Sequence, residues 1–360
     1  MKTKIVDSLF WLIPISLIIN LFLRWNINSY LSPDSFDYFK IADHLPSITT
    51  SVWPFFYPLL LKIVNFVVDN YLVSYKVLSV SSLLFSLLFV RINHFYWKEI
   101  WTLLSFFSFL RIFPFGLSEV VLIPFLILIF YINHHFQNNK QSENKFILFN
   151  SIFLFITVSI KYSSIFFLIA FILFTVLLKF RKNILFKAYL KSSLLTLILC
   201  GLYLTVNYIE TGFLIGERQP PGGSYHNIRL SISQIVFTLN PFFHTKVYNY
   251  LGLFSFGWSI AYLFGFIFSL IWLFLITGKG ISFMKNNLII LLLINSLCFL
   301  AGTIYSYFVI KIDILDFRLL LGFYTFLFFA VIISLPRKMD VILLLTALFS
   351  ISTNIIQLFV

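Results

Sequence analysis

Hydropathy along the chain comes in long blocks. Runs rich in Leu, Ile and Phe, of near-spanning length, recur at about 1–23, 71–91, 99–113, 117–133, 146–160, 163–179, 192–209, 251–276, 287–309, 318–335 and 340–358. None alternates with a period of two, which excludes a β-barrel and requires the backbone to be satisfied inside helices. The pattern predicts an all-α, polytopic membrane protein with about eleven transmembrane helices, within a range of about ten to thirteen. All of residues 1–360 fall in this single transmembrane domain. Several blocks are short for a perpendicular crossing, which predicts tilted or broken helices.

Composition strengthens this reading. Sixty per cent of residues are apolar and 11% charged, and the mean hydropathy is +0.97, outside the range of soluble domains. Cys200 and Cys298 sit in apolar runs without paired spacing and read as buried thiols, not as a disulfide or metal site. The excess of Phe, Ile, Asn and Lys fits AT-rich coding, and a compact chain without long soluble domains fits a bacterium.

The net charge of +13 changes meaning once it is placed by side. Lys2 and Lys4 precede a first helix with no small-x-small cleavage site, so that helix is expected to be retained with its N-terminus in the cytoplasm. Alternating the spans from that start puts Arg91, Lys98, Lys140, Lys145 and the basic stretch 179–191 inside. Asp34, Asp37, Asp43, Asp69, Glu119, Glu210, Glu217, Asp313 and Asp316 fall outside. The basic loops are then anchors at an anionic leaflet, which argues against nucleic-acid binding. Acids contribute little to topology, so their concentration on one face calls for a chemical reason.

Two outer segments are too patterned for simple turns. In the first, residues 24–70, Ser32-Pro33 reads as a helix start, predicting a short helix over Asp34 to Leu45. Asp34, Asp37, Tyr38 and Ile41 share one face of it. Pro54 to Val68 is apolar, interrupted by Lys62 and too short to span; it is expected to lie at the outer membrane surface as a floor under that helix. The second segment, residues 210–250, carries ETGFLIGERQPPGGSYHNIR, whose glycines and prolines forbid a continuous helix and leave a loop able to fold over a site. No phosphate-cradling glycine motif, zinc spacing or nucleophile elbow is present.

PDSFDYFKIADHL followed by WPFFYPLLLKI, directly after the first span, resembles the first outer loop of the GT-C fold glycosyltransferases. That superfamily includes protein mannosyltransferases and lipid A aminoarabinose transferases. Asp34, Ser35, Tyr38, Ala42, Leu45, Tyr57, Pro58, Leu59 and Leu60 match its pattern. Ser118-Glu119 resembles the family's second-loop acid, and Lys161-Tyr162 stands where relatives often carry Arg-Tyr. NYIETGFLIGER (207–218) and Asp316-Phe317-Arg318 resemble its later motifs, so the similarity runs through roughly the first 330 residues.

The resemblance implies an enzyme that takes a sugar from a polyprenyl-phosphate carrier and gives it to a hydroxyl of a glycan, lipid or protein acceptor, at the outer face of the cytoplasmic membrane. Asp34 is then the general base and Asp37 its alternate, while Glu119 positions the acceptor or a divalent cation. Arg218, Arg318 and Lys161 are the cations for the leaving phosphate, and Tyr38, Tyr57 and Tyr162 line the substrate. No cofactor beyond that divalent cation is implied.

Each residue also has a plain structural reading. Asp34 can complement a helix dipole, Asp37 can belong to a solvated face, and Glu119 can open a helix at headgroup depth with Arg111 as partner. Arg318 can pair with Asp313 or Asp316, and Lys161 can snorkel to the interface. His44 and His226 have no partner at ligand spacing, and His134-His135 lies on the inner side. Two other functions stay open. A lipid-linked glycan polymerase or ligase would rely on outer-loop arginines such as Arg218 and Arg229; a polysaccharide or lipid transporter would show internal repeats and mid-span charges.

Overall fold

The computed structural model describes residues 2–27, 31–216, 235, 286–310, 316–335, 339–356 and 358. Among the described residues every regular element is helical. The first eleven helices are α1 (Lys2–Leu9), α2 (Leu12–Ile27), α3 (Pro33–His44), α4 (Phe56–Val68), α5 (Tyr71–Ile92), α6 (Trp97–Leu104), α7 (Phe107–Leu110), α8 (Glu119–Gln137), α9 (Glu143–Ile160), α10 (Ile165–Phe180) and α11 (Phe186–Thr211). Then come α12 (Asn287–Tyr305), α13 (Leu321–Ser334) and α14 (Asp340–Ile356).

Among the described residues seven stretches are long and apolar enough to cross a membrane: Val6–Asn26, Tyr71–Ile92, Glu119–Gln137, Glu143–Ile160, Tyr162–Phe180, Phe186–Thr211 and Asn287–Phe308. Their outward faces carry Ile15, Ile19, Phe22, Leu173, Ile198 and Leu202, all strongly exposed, as helices surrounded by lipid would. The expected span at 251–276 and most of the second outer segment, from 217 onward, lie outside the described residues.

The run at 99–113, expected as one helix, is instead two short ones, α6 and α7, followed by an irregular stretch to 118. Pro114 and Gly116 stop a helix from continuing into α8. A backbone broken at such depth needs partners from the protein itself. The Ser350 hydroxyl of α14 donates to the Ser105 carbonyl at 2.8 Å, and Trp25 Nε1 of α2 donates to the Pro114 carbonyl at 3.0 Å. The first span breaks between α1 and α2 because Pro14 offers no N–H to the carbonyl of Phe10.

Contacts at the ends of these elements separate two poles. At one, Lys98 on α6 pairs with Asp7 of α1 at 2.6 Å and with Asp340 of α14. At the other, Arg24 of α2 donates to Asn20 and to Asn354 of α14. The α1–α2 span, the 97–118 stretch and α14 therefore run side by side in one direction. Between the poles α13 is buried on nearly every face. Gly322 allows its close approach to Phe167 of α10 and Phe299 of α12, and Gly302 allows α12 to approach α10, where a Cβ would fall 2.3 Å from the Phe166 ring. Near the Lys98 pole, α8, α9 and α11 are tied by a buried chain in which Tyr189 donates to Asn133, Asn133 to Asn150 and Asn150 to Ser192, at 2.7–2.9 Å.

Candidate functional site

The site forms at the Arg24 pole from four segments distant in sequence. The first is α3, which starts where the sequence places it. Ser32 is its N-cap in extended conformation, accepting from the Ser35 N–H, while the Ser35 hydroxyl accepts from the Ser32 N–H; Pro33 occupies the first turn. Gly116 lets the loop before α8 press on this turn, since a Cβ there would meet Ser35 Oγ at 3.2 Å. The Pro54 to Val68 run forms the short helix α4, whose Tyr57, Pro58 and Leu61 are buried and whose Phe66 is 92% exposed.

Tyr38 fixes the rotation of α3. Its buried ring meets Tyr57 edge-on at 4.9 Å and Trp53 at 5.2 Å. Its hydroxyl donates to Ser118 Oγ at 3.1 Å, and Ser118 donates to Glu119 Oε2 at 3.3 Å. Burial, with Glu119 and Asp34 nearby, pushes the Tyr38 hydroxyl well above its usual range, so it stays a proton donor to Ser118.

That rotation turns Asp34 toward Arg318, with Oδ2 3.8 Å from Nη1. Arg318 sits in the turn that leads into α13. Asp316 builds this turn: its Oδ1 accepts from the N–H groups of Arg318 and Leu319 at 2.9 and 3.0 Å, and its Oδ2 accepts from Arg318 Nε at 2.7 Å. Burial alone would lower the guanidinium's pKa, but Asp316, Glu119 and Asp34 together raise it, so its charge is permanent. Lys161 lies in an extended break between α9 and α10. Its ammonium donates to Glu119 Oε1 at 2.5 Å and to the Arg318 carbonyl at 3.2 Å.

Six of the residues singled out in the sequence are thus brought together: Asp34, Tyr38, Tyr57, Glu119, Lys161 and Arg318. Asp37, one turn along α3 and partly buried, forms no ion pair with a described residue. Tyr162 turns toward α11, where its hydroxyl meets that of Tyr203 at 3.1 Å and accepts from Asn207 Nδ2 at 3.0 Å. Arg218, Arg229, His226 and Asp313 lie outside the described residues. The ion pair of Glu119 is with Lys161, while Arg111 lies over the rings of Phe107 and Phe317. Arg318 meets Asp316, as its structural reading anticipated, and Asp34 in addition. Ser118, named in the sequence only as part of the Ser118-Glu119 motif, links Tyr38 to Glu119; Tyr203, the partner of Tyr162, had no signal in the sequence.

No group of three or more His, Cys, Asp or Glu able to hold a metal ion stands among the described residues. Asp34, Asp316 and Glu119 each face a cation of the chain itself. The donor set therefore does not fit a resident divalent ion.

Beside the cluster an apolar groove of about 670 Å³ opens between the α3–α4 connection, α4, α9 and α11, with Leu45, Phe55, Leu59, Leu202 and Tyr203 in its wall. Tyr203 joins the two features, since it lines the groove and bonds Tyr162 next to Lys161. Lys62, at the groove's edge, donates to the Leu45 carbonyl. The end of the described 210–216 stretch folds onto the 24–70 segment: Gly216 N–H donates to the Ser51 carbonyl at 2.9 Å. Compared with protein-family models, curated proteins and solved structures, the chain matches none, so its function has to be read from this site.

Proposed function

We propose that the chain is a GT-C-like glycosyltransferase of the bacterial cytoplasmic membrane, with its N-terminus inside and the charged cluster at the outer face. It moves a sugar from a polyprenyl-phosphate carrier to a hydroxyl of a glycan, lipid or protein acceptor. The observation that carries this reading is the convergence of Asp34, Glu119, Lys161 and Arg318 at one pole of an apolar bundle, beside an apolar groove. Ionisable groups gathered at the edge of a membrane domain are retained for function, because their desolvation is costly. The likeness of the Asp34 to Leu60 stretch to the GT-C first loop supplies the reaction class.

In this reading the acceptor oxygen attacks the anomeric carbon. The bond from that carbon to the phosphate oxygen breaks, the lipid phosphate leaves with the electron pair, and the acceptor proton passes to Asp34. Arg318, joined by Arg218 from the second outer segment, stabilises the leaving phosphate, a task suited to a planar guanidinium. Lys161, paired with Glu119, holds that carboxylate in place so that it can seat the acceptor. Tyr38 and Tyr57, both buried, act by setting α3, while the isoprenoid tail lies in the groove past Tyr203.

The test is mass spectrometry of carrier lipids from cells lacking the gene, complemented with wild type, and complemented with Asp34→Asn. One polyprenyl-phosphate sugar is expected to accumulate in the first and third strains at equal membrane yield of protein. Unchanged carrier lipids in all three would refute the reading. Essential Arg218 and Arg229 together with dispensable Asp34 and Glu119 would favour a glycan polymerase or ligase.

A further inference from the structure

At the pole opposite the charged cluster, about 28 Å along α8 at 1.5 Å per residue, a second groove of about 470 Å³ opens between α5, α8 and α9. Phe89, Leu128 and Phe153 form an apolar wall, and Lys140, Ser142 and Lys145 form a polar mouth at the α8–α9 turn. We propose that this groove seats an anionic glycerophospholipid, with its phosphate against Lys140 and Lys145 and an acyl chain along the apolar wall. The inference is independent of the transferase reading.

The charge at the mouth is not balanced locally. Both lysines are exposed, and neither forms an ion pair with a described residue. Glu143 lies between them in sequence, but it is drawn away to Lys191 of α11 at 2.8 Å. Ser142 occupies the N-cap position of α9 without a side-chain cap, so first-turn N–H groups add donors for a phosphate oxygen. His135 closes one side, its Nδ1–H donating to the Tyr131 carbonyl at 3.0 Å.

The division of the groove selects the ligand. A soluble anion satisfies the lysines and leaves the apolar wall uncovered. A zwitterionic lipid covers the wall but brings its own cation to the lysines. An anionic phospholipid fits both halves, at the depth where a headgroup meets the ends of two spans.

The experiment is native mass spectrometry of the purified full chain in mild detergent, titrated with phosphatidylglycerol, with phosphatidylcholine of the same acyl chains, and with inorganic phosphate. Phosphatidylglycerol is expected to bind about tenfold more tightly than phosphatidylcholine. That preference should vanish in the Lys140→Gln/Lys145→Gln double variant, weaken in Gln141→Glu, and persist in Lys182→Gln, which alters a basic loop elsewhere. Equal binding of the two lipids, a preference that survives the double variant, or displacement of lipid by millimolar inorganic phosphate would each overturn the proposal.

Discussion

Replacing Lys161 by Met tests the centre of the site, because it strands Glu119. The two side chains are 14% and 8% exposed and 2.5 Å apart. At an effective dielectric of about 20, the gross attraction at that distance is about 7 kcal/mol, and desolvation of several kcal/mol per ion offsets most of it. The pair should therefore add little over an uncharged isostere, yet losing one member alone should cost about 3–5 kcal/mol. In Glu119→Gln the smaller cost, about 1–3 kcal/mol, follows because Lys161 keeps the Arg318 carbonyl and its long stem can reach the headgroups. The double variant leaves neither charge buried. The assay is thermal unfolding of wild type, both single variants and the double variant, as full chains in one detergent. The double variant is expected to unfold at a higher temperature than Lys161→Met. A double variant that unfolds at or below that single variant would mean that the two groups act independently, and would refute the buried-pair argument.

Other outcomes follow from the same geometry. Asp34→Asn should lower turnover by about 10²–10⁴-fold while donor binding persists; parallel loss of both would assign Asp34 a structural role. Arg318→Lys keeps a charge but loses the fork that meets Asp316 and Asp34, so KM for the donor should rise, and an unchanged KM would remove Arg318 from the phosphate site. Gly302→Ala drives a methyl into the Phe166 ring and should destabilise the chain by about 1–3 kcal/mol; an unaltered melting temperature would contradict the close approach of α10 and α12.

What the sequence could show divides along physical lines. The start of α3 was legible because capping is local: Ser32, Pro33 and Ser35 lie within one turn. The short α4 was legible because length and Lys62 both argued against a crossing. The break between α6 and α7 was not, since apolarity reports how deep a segment lies and not whether its backbone is continuous. There the deciding partner, Ser350, is 245 residues away. Within the site, single charged residues stood out because charge is rare in such a chain. Their pairing did not, because Glu119 and Lys161 meet across 42 residues and Asp34 meets Arg318 only when both ends of the chain are folded. Lys161, which the resemblance assigns to a phosphate, pairs with the Glu119 carboxylate.

The charge balance of the cluster constrains how the proposed reaction can proceed. Among the described residues three carboxylates, Asp34, Glu119 and Asp316, stand beside two cations, Lys161 and Arg318. A donor phosphodiester adds negative charge, so it binds favourably only if a carboxylate yields or another cation arrives. Glu119 is buried and held by Lys161, and Asp316 is held by two backbone N–H groups of its own turn. Asp34 makes the longest ion pair of the cluster, 3.8 Å, and its side chain, 36% exposed, is the most accessible of the three. A phosphate reaching Arg318 therefore displaces Asp34 in preference to the others. In the proposed reaction, Asp34 displaced from the Arg318 guanidinium turns to the acceptor hydroxyl, so that donor binding would convert a counter-ion of Arg318 into a base. This order would let Asp34, as the proposed base, sit next to Arg318 in the resting protein.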